Sequence, residues 1–238
     1  MSVPPRVGDN LAEFFEVLSK RREIRLRDKL FIVGIPSGIA FLMSQDGNLQ
    51  AVAASLQHPV WRLFMQGVTL SGDFSLLLLI CGLFWAVGNR EKTGRLRWIG
   101  ERGVVTLVLS RIVVEMLKAA VGRGRPRATE TADPFLFIGP TMQVDFHGFP
   151  SGHTASAFVV ATLAAATFPQ LRRYFMLWAV LVALSRLALN EHFASDVVVG
   201  GLLGYGAARL CLKNTGIPPA PHVQRTEQKG GTPTPQTF

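Results

Sequence analysis

Apolar residues occur along this chain in long runs that are separated by short polar and basic stretches. Six runs approach or reach the roughly 17–25 residues that a helix needs to cross a bilayer. They cover residues 30–44, 74–87, 103–121, 152–168, 174–189 and 194–212. The first run is short and contains Pro36. The pattern predicts an all-α fold, a six-transmembrane helix bundle over residues 30–212.

Three further segments have a different character. Residues 11–29 read as a basic amphipathic helix, with two interpretations open: it lies on an anionic membrane surface, or it is a solvated leader that sets topology. Residues 50–70 mix apolar and polar side chains and are predicted to form an interfacial helix. Residues 213–238 are rich in Pro, Gly, Thr and Gln, which is typical of a disordered tail. We therefore expect a leader (residues 1–29), the membrane domain (30–212) and a cytoplasmic tail (213–238).

Composition supports a membrane protein rather than a soluble one. Hydrophobic residues make up 48% of the chain and charged residues 17%, and the mean hydropathy is +0.28. The formal charge of +9 comes from short basic clusters between apolar runs, so it indicates topology and not nucleic-acid binding. Cys81 and Cys211 lie in apolar runs and are expected to be small packing residues without a disulfide framework.

The distribution of basic residues predicts the orientation. Basic stretches precede the first run and follow the second, fourth and sixth, so the positive-inside rule places these loops and both termini in the cytoplasm. The arginines at residues 123–127 are the exception, because they fall on the outer side. A site for an anion explains a basic cluster there, and it predicts an active site on the periplasmic face of the inner membrane.

Three groups of chemically active residues fall at the outer ends of the predicted spans. Lys118 and Arg125 offer a point charge and a planar fork of donors, which suit a tetrahedral phosphate. Ser151 and Gly152 open the fourth predicted helix, where free backbone N–H groups and the helix dipole favour an anion. His153 follows them directly.

The third group contains Arg186, His192 and Asp196. Because four residues separate His192 from Asp196, they share one face of a helical turn, and the carboxylate is predicted to accept a proton from one ring nitrogen. The other nitrogen is then free to attack. Arg186 supplies a second guanidinium. Ionisable groups at membrane depth are costly, so their convergence on one side indicates function.

These residues match three sequence patterns. They are Lys, six residues, Arg-Pro at 118–126, Pro-Ser-Gly-His at 150–153, and Ser-Arg, five residues, His, three residues, Asp at 185–196. In this the chain resembles the type 2 phosphatidic acid phosphatase superfamily, which also includes vanadium haloperoxidases and soluble bacterial acid phosphatases. The resemblance covers about residues 30–212, and no motif position departs from the family pattern.

The resemblance implies a metal-independent phosphatase that works without a cofactor. It implies that His192 attacks phosphorus to form a phosphohistidine while Asp196 orients it. His153 would protonate the leaving alcohol and then activate water. The phosphate oxygens would be held by the remaining motif residues, which are Lys118, Arg125, Ser151, Gly152 and Arg186.

Several residues outside the motifs have two open interpretations. Glu115 either pairs with Arg111 on the same helix face or positions Lys118 toward phosphate. His147 is an ordinary loop residue or a headgroup contact. Arg123 and Arg127 either bind a second phosphate, which favours a diphosphate substrate, or set the local field. Glu191 and Asn190 are taken as loop polar groups. The small residues of 200–208 predict close helix packing.

The expected partner is a lipid phosphate in the bilayer: phosphatidic acid, phosphatidylglycerol phosphate, undecaprenyl diphosphate or lipid A phosphate. The sequence leaves open which lipid it is, and also the oligomeric state. Two other functions are open. One is vanadate-dependent haloperoxidase chemistry, and the other is a catalytically silent lipid-binding or transport protein.

Overall fold

A computed structural model describes residues 26–55, 58–128 and 132–215, with side chains described from residue 34 onward. In the described residues the chain forms seven α-helices and three short 3-10 helices. The α-helices are α1 (Leu26–Ser55), α2 (Pro59–Ser71), α3 (Phe74–Arg90), α4 (Gly94–Val121), α5 (Gly152–Thr167), α6 (Arg172–Ala188) and α7 (Ala194–Thr215). The predicted all-α class is confirmed.

Helix α5 lies at the centre of the bundle and packs against α4, α6 and α7. Most of its residues are small and buried, which lets neighbouring backbones come close. Gly200 and Gly204 of α7 show how close: a Cβ at these positions would collide with the carbonyl oxygens of Ser151 and Ala155. The predicted close packing through small residues of the last helix is confirmed.

Helices α3 and α4 form an antiparallel hairpin that carries much of the apolar core. Cys81 and Leu77 of α3 are buried against Trp98 and Leu107 of α4, and Leu163 of α5 completes the contact. Cys81 is 3% exposed, and Cys211 is half-buried beside the same cluster. Both thiols therefore act as small packing groups, as the sequence predicted.

Several predicted boundaries differ from the structure. Pro36 removes one backbone hydrogen bond without ending α1, which continues from Leu26 to Ser55. The interfacial helix predicted for residues 50–70 is therefore wrong as one element. Its first part completes α1, where buried Gln50 donates to the side-chain oxygen of Asn190 at 2.6 Å. A new helix starts at Pro59, because proline is well suited to the first helical position.

The remaining differences are at the ends. Helix α4 begins at Gly94 instead of residue 103, and α7 continues past residue 212 to Thr215. Residues 1–25 of the predicted leader and 216–238 of the predicted tail lie outside the described residues.

By length and composition, one of the described helices, Ala194–Thr215, is able to cross a membrane by itself. Helices α2 and α3 pass the same test as a pair that is bent by 44°.

Candidate active site

The three motifs meet where the end of α4, the start of α5 and the loop between α6 and α7 come together. Gly122 ends α4 in the left-handed conformation, with φ at 60°, and its N–H bonds to the carbonyl of Lys118. The chain then turns so that Arg125 lies near the α6–α7 loop. The motifs are far apart in sequence, and these turns bring them to one place.

Lys118 and the start of α5 face each other. Lys118 is 7% exposed, and a Cβ built on Gly152 would lie 3.5 Å from its Nζ. Ser151 occupies the N-cap position of α5 without a capping bond from its side chain, and its N–H donates to the carbonyl of Asp196 at 3.0 Å. The predicted lysine and helix N-terminus therefore lie side by side.

His192 is buried in the α6–α7 loop, and its ring is held by a backbone group. Its Nδ1 lies 2.6 Å from the carbonyl oxygen of Gly148 and 3.8 Å from Oδ2 of Asp196. The prediction that Asp196 accepts the ring proton therefore differs from the structure, in which Gly148 does so. Because a carbonyl only accepts, Nδ1 carries the proton and the neutral ring keeps its lone pair on Nε2.

The surroundings of His192 keep the ring neutral. Burial lowers its pKa well below the usual value, and the positive charges of Arg186 and Arg125 lower it further, against the hydrogen bond to Gly148. An uncharged imidazole at neutral pH is the form that acts as a nucleophile.

Asp196 stabilises the loop rather than the ring. Its Oδ2 accepts the N–H of Phe193 at 2.7 Å, and its Oδ1 accepts from Arg123. Because Phe193 directly follows His192, the carboxylate fixes the backbone that carries the imidazole.

Arg125 and Arg186 approach the same carboxylate. Nη1 of Arg125 donates to Oε2 of Glu191, and Nη2 of Arg186 lies 3.5 Å from the same oxygen. Arg186 also donates to the hydroxyl of Thr69 at 2.7 Å. In the part of the chain that the structure describes, the buried Nε of each arginine has no hydrogen-bond partner. Because a buried donor without a partner is unfavourable, a bound anion that accepts a hydrogen bond from it would be stabilised. Each guanidinium therefore keeps a donor for an anion.

His153 lies in the first turn of α5 with 30% of its side chain exposed. Its Nε2 is 3.7 Å from Oδ2 of Asp73, the residue that caps α3. Its ring lies within electrostatic range of Arg186, Lys118 and the ring of His192. The second predicted histidine is thus close to the first and has access to solvent.

Arg123 differs most from its sequence interpretation. It is completely buried and bonds to Asp46 of α1 at 2.8 Å, to Asp196, and to Ser195 at 2.6 Å. The carbonyl of Pro134 accepts from Nε and Nη2. The idea that Arg123 contacts a second phosphate is wrong, because its donors are used by fixed acceptors.

The other residues outside the motifs have identified neighbours. Glu115 contacts both Arg111 and Lys118 at 3.0 Å. These contacts are compatible with both interpretations of the carboxylate, as a partner of Arg111 and as the group that positions Lys118. His147 contacts the carbonyl of Thr141 at 3.1 Å. A headgroup contact for His147 stays a prediction.

Sequence reasoning missed three acidic residues and one carbonyl at this site. Asp46 lay just beyond the predicted first span, although an acid beside an apolar run is itself a signal of function. Glu191 was interpreted as a polar loop residue, and no role was predicted for Asp73. Gly148 acts through its backbone, for which a sequence carries no signal.

The fold and the site define a helical protein in which a cluster of cations surrounds a neutral, oriented imidazole. Residues 103–216 match the family model described as PAP2 superfamily. The matched residues contain all three motifs, and the resemblance noted from the motifs is confirmed.

Individual relatives agree with this. The chain is 32% identical over 144 residues to the lipid A 1-phosphatase of Rhizobium etli, an alignment that covers 56% of this chain and 62% of that protein. The chain thus spans about three fifths of the length of that relative.

Two solved structures share the fold. LpxE of Aquifex aeolicus has a TM-score of 0.55 at 24% identity, covering 70% of this chain and 93% of that one. The transmembrane PAP2 type phosphatidylglycerolphosphate phosphatase of Bacillus subtilis has a TM-score of 0.54 at 22% identity, covering 76% and 94%.

Proposed function

We propose that this chain is a membrane phosphatase that hydrolyses a lipid-linked phosphate through a phosphohistidine on His192. The hydrogen bond from Nδ1 of His192 to the Gly148 carbonyl carries the proposal. It leaves the lone pair on Nε2, and the positive charges of Arg125 and Arg186 lie near enough to act on the ring. The similarity to a lipid A 1-phosphatase supports a lipid phosphate as the substrate class.

In the first step the substrate phosphate is bound by Lys118, Arg125 and Arg186, with the Ser151 hydroxyl and the Gly152 N–H. Nε2 of His192 attacks phosphorus, the P–N bond forms, and the bond to the lipid oxygen breaks. Protonated His153 gives its proton to that oxygen, so the lipid leaves as a neutral alcohol when the substrate is a monoester. The cations stabilise the charge that builds up on the phosphoryl oxygens.

In the second step His153, now neutral, removes a proton from water. The water oxygen attacks phosphorus and the P–N bond breaks, which restores neutral His192 and releases inorganic phosphate. Asp73, 3.7 Å from His153, stabilises the imidazolium form that starts and ends the cycle. Asp196 keeps the His192 loop in place through the N–H of Phe193.

We also propose that the helices form a six-span bundle in the inner membrane, with both termini in the cytoplasm. Support comes from the exposed apolar side chains of α4, among them Leu109, Ile112 and Met116. Such an exposed apolar face is suited to contact with lipid chains. The distribution of basic residues among the loops supports an active site on the periplasmic side.

The test is phosphate release by purified protein in detergent across phosphatidic acid, phosphatidylglycerol phosphate, undecaprenyl diphosphate and lipid A phosphate. We expect turnover of at least one lipid, and at least about a thousandfold loss in His192→Ala. His58→Ala is the matched control, because this histidine is exposed and its side chain makes no capping bond.

A covalent intermediate provides a second readout. Labelled phosphate from the substrate should be trapped on the wild-type protein when turnover is stopped by alkaline denaturation, and it should be absent from His192→Ala. The proposal fails if His192→Ala releases phosphate at the wild-type rate.

A further inference from the structure

Glu191, which directly precedes His192, contacts three arginines. Its Oε2 accepts from Arg125 and lies 3.5 Å from Arg186, while its Oε1 lies 3.2 Å from Nε of Arg127. With 24% of the side chain exposed, the carboxylate lies inside the cation cluster at its open edge.

The Glu191 carboxylate is ionised at neutral pH. Burial opposes its charge, but Arg186, Arg125 and Arg127 together hold its pKa below the usual range. The negative charge of the carboxylate is therefore a permanent part of the site.

The position of the Glu191 carboxylate limits the negative charge of the ligands that the site can bind. Arg125 and Arg186 are the arginines proposed to hold the substrate phosphate, and both touch Oε2 of Glu191. A phosphate held by the same guanidinium groups therefore lies within a few ångströms of the carboxylate. Like charges at that distance repel strongly in a partly buried site.

A second phosphate group meets a larger obstacle than the first. Among the described residues, the neighbouring arginines are Arg111, Arg123 and Arg127. Arg111 lies beside Gly152 and is paired with Glu115 at 3.0 Å. Arg123 is buried against Asp46 and Asp196, and Arg127 is already paired with Glu191. The extra charge of a diphosphate thus meets the carboxylate without an unpaired neighbouring arginine among the described residues to compensate it.

We propose that Glu191 is a specificity-determining residue whose carboxylate limits the charge that the arginine cluster accepts and so favours a phosphate monoester over a diphosphate. The proposal rests on the proposed function for the identity of the site.

The test compares binding of inorganic phosphate and of methylenediphosphonate, a diphosphate analogue without a hydrolysable P–O–P bond. Calorimetry on purified protein in detergent gives both values of Kd without turnover. We expect Glu191→Gln to lower the Kd of methylenediphosphonate about tenfold and that of phosphate no more than about threefold, because one repulsive charge is removed. Glutamine keeps the size and the acceptor oxygen of glutamate, so packing is retained.

Two variants serve as controls. Asp145→Asn removes an exposed carboxylate 4.0 Å from Arg127 and should leave the ratio of the two Kd values unchanged. Glu191→Asp keeps the charge and should preserve the wild-type preference for phosphate. A ratio that is unchanged in Glu191→Gln, or weaker binding of both anions, overturns the proposal.

Kinetics with matched lipids complete the test. In Glu191→Gln, kcat/KM for diacylglycerol diphosphate should rise about tenfold relative to phosphatidic acid with the same acyl chains. A wild-type protein that is inert on all lipid phosphates contradicts the proposed function but leaves the calorimetric ratio as a test of Glu191. An active wild type with no change of either ratio in Glu191→Gln contradicts the role of Glu191 alone.

Discussion

Arg123 and Arg125 are two residues apart, yet their surroundings are opposite. Arg123 is completely buried, and Asp46, Asp196 and other fixed acceptors take up its guanidinium donors. Arg125 is 13% exposed on its side chain, bonds to Glu191, and has a buried Nε with no partner among the described residues.

This difference shows that the role of an arginine depends on whether its guanidinium donors already have acceptors within the protein. Arg123 connects α1 to the start of α7 and acts as a structural crosslink. The side chain of Arg125 lies beside His192 and keeps a donor for an oxyanion. The same residue type in one short segment thus serves stability at one position and proposed ligand binding at the other.

The largest effect should come from the ligand-binding side of the comparison. Arg125→Ala should lower kcat/KM by about a thousandfold, since it removes a donor to the charged transition state. Its unfolding free energy should fall by no more than about 1 kcal/mol, because a partly exposed ion pair contributes little. Phosphate release and thermal unfolding in detergent measure the two quantities. Arg173→Ala, an exposed arginine on α6, should change neither.

The structural side should respond in the opposite way. Arg123→Met leaves two buried carboxylates without their cation and should destabilise the protein by about 3–5 kcal/mol. Activity should fall only as the folded fraction falls. Adding Asp46→Asn should restore part of the stability, because it removes one of the unpaired charges. If Arg123→Met is stable but inactive, Arg123 acts in the active site, and the distinction between a structural Arg123 and a ligand-binding Arg125 is wrong.

The pH dependence of stability is expected to be smaller. His192 is neutral when folded, with its pKa well below the usual value, whereas the unfolded side chain binds a proton below about pH 6.5. The unfolded state therefore holds more protons at low pH, and stability falls as pH decreases below about 6.5, by at most about 1.4 kcal/mol per pH unit. Unfolding midpoints of wild type and His192→Gln between pH 7 and pH 5 measure this term. Equal slopes in the two proteins would show that His192 takes up a proton in the folded state.

Glu115 should show the smallest effect and is intermediate between the two arginines. It contacts both Arg111 and Lys118 and is more than a third exposed, so each pair contributes about 0.5–1 kcal/mol at most. Glu115→Gln should reduce kcat/KM about two- to fivefold, because Lys118 loses the group that positions it. Unchanged turnover in a normally folded protein would leave Glu115 as a partner of Arg111 alone.

Local patterns predicted much of this molecule. The apolar runs predicted the all-α class, because hydrophobic length and periodicity reflect contacts within a few residues of each other. The spacing of the three motifs selected Lys118, Arg125, Arg186, His153 and His192, and the structure brings these side chains to one place. Helix ends were less well predicted, since α1 covers Leu26–Ser55 and the predicted run covered residues 30–44.

Partners across long distances in sequence were not predictable in the same way. Asp46 and Arg123 are 77 residues apart, and no local spacing relates them. The carbonyl of Gly148, 44 residues from His192, replaces the expected carboxylate on the ring. Glu191 was interpreted as a loop residue because two of its three arginines, Arg125 and Arg127, come from a distant segment of the chain.

The sequence by itself determined the helices and the chemical groups available for a reaction with phosphate. Only the tertiary structure decided which arginine is a crosslink, which one keeps a donor for an anion, and which nitrogen of His192 carries the proton. The physical reason is that helix formation depends on neighbours along the chain. The state of a buried charge depends on acceptors from distant segments, because leaving that charge unpaired costs several kcal/mol, on the order of the stability of the whole fold.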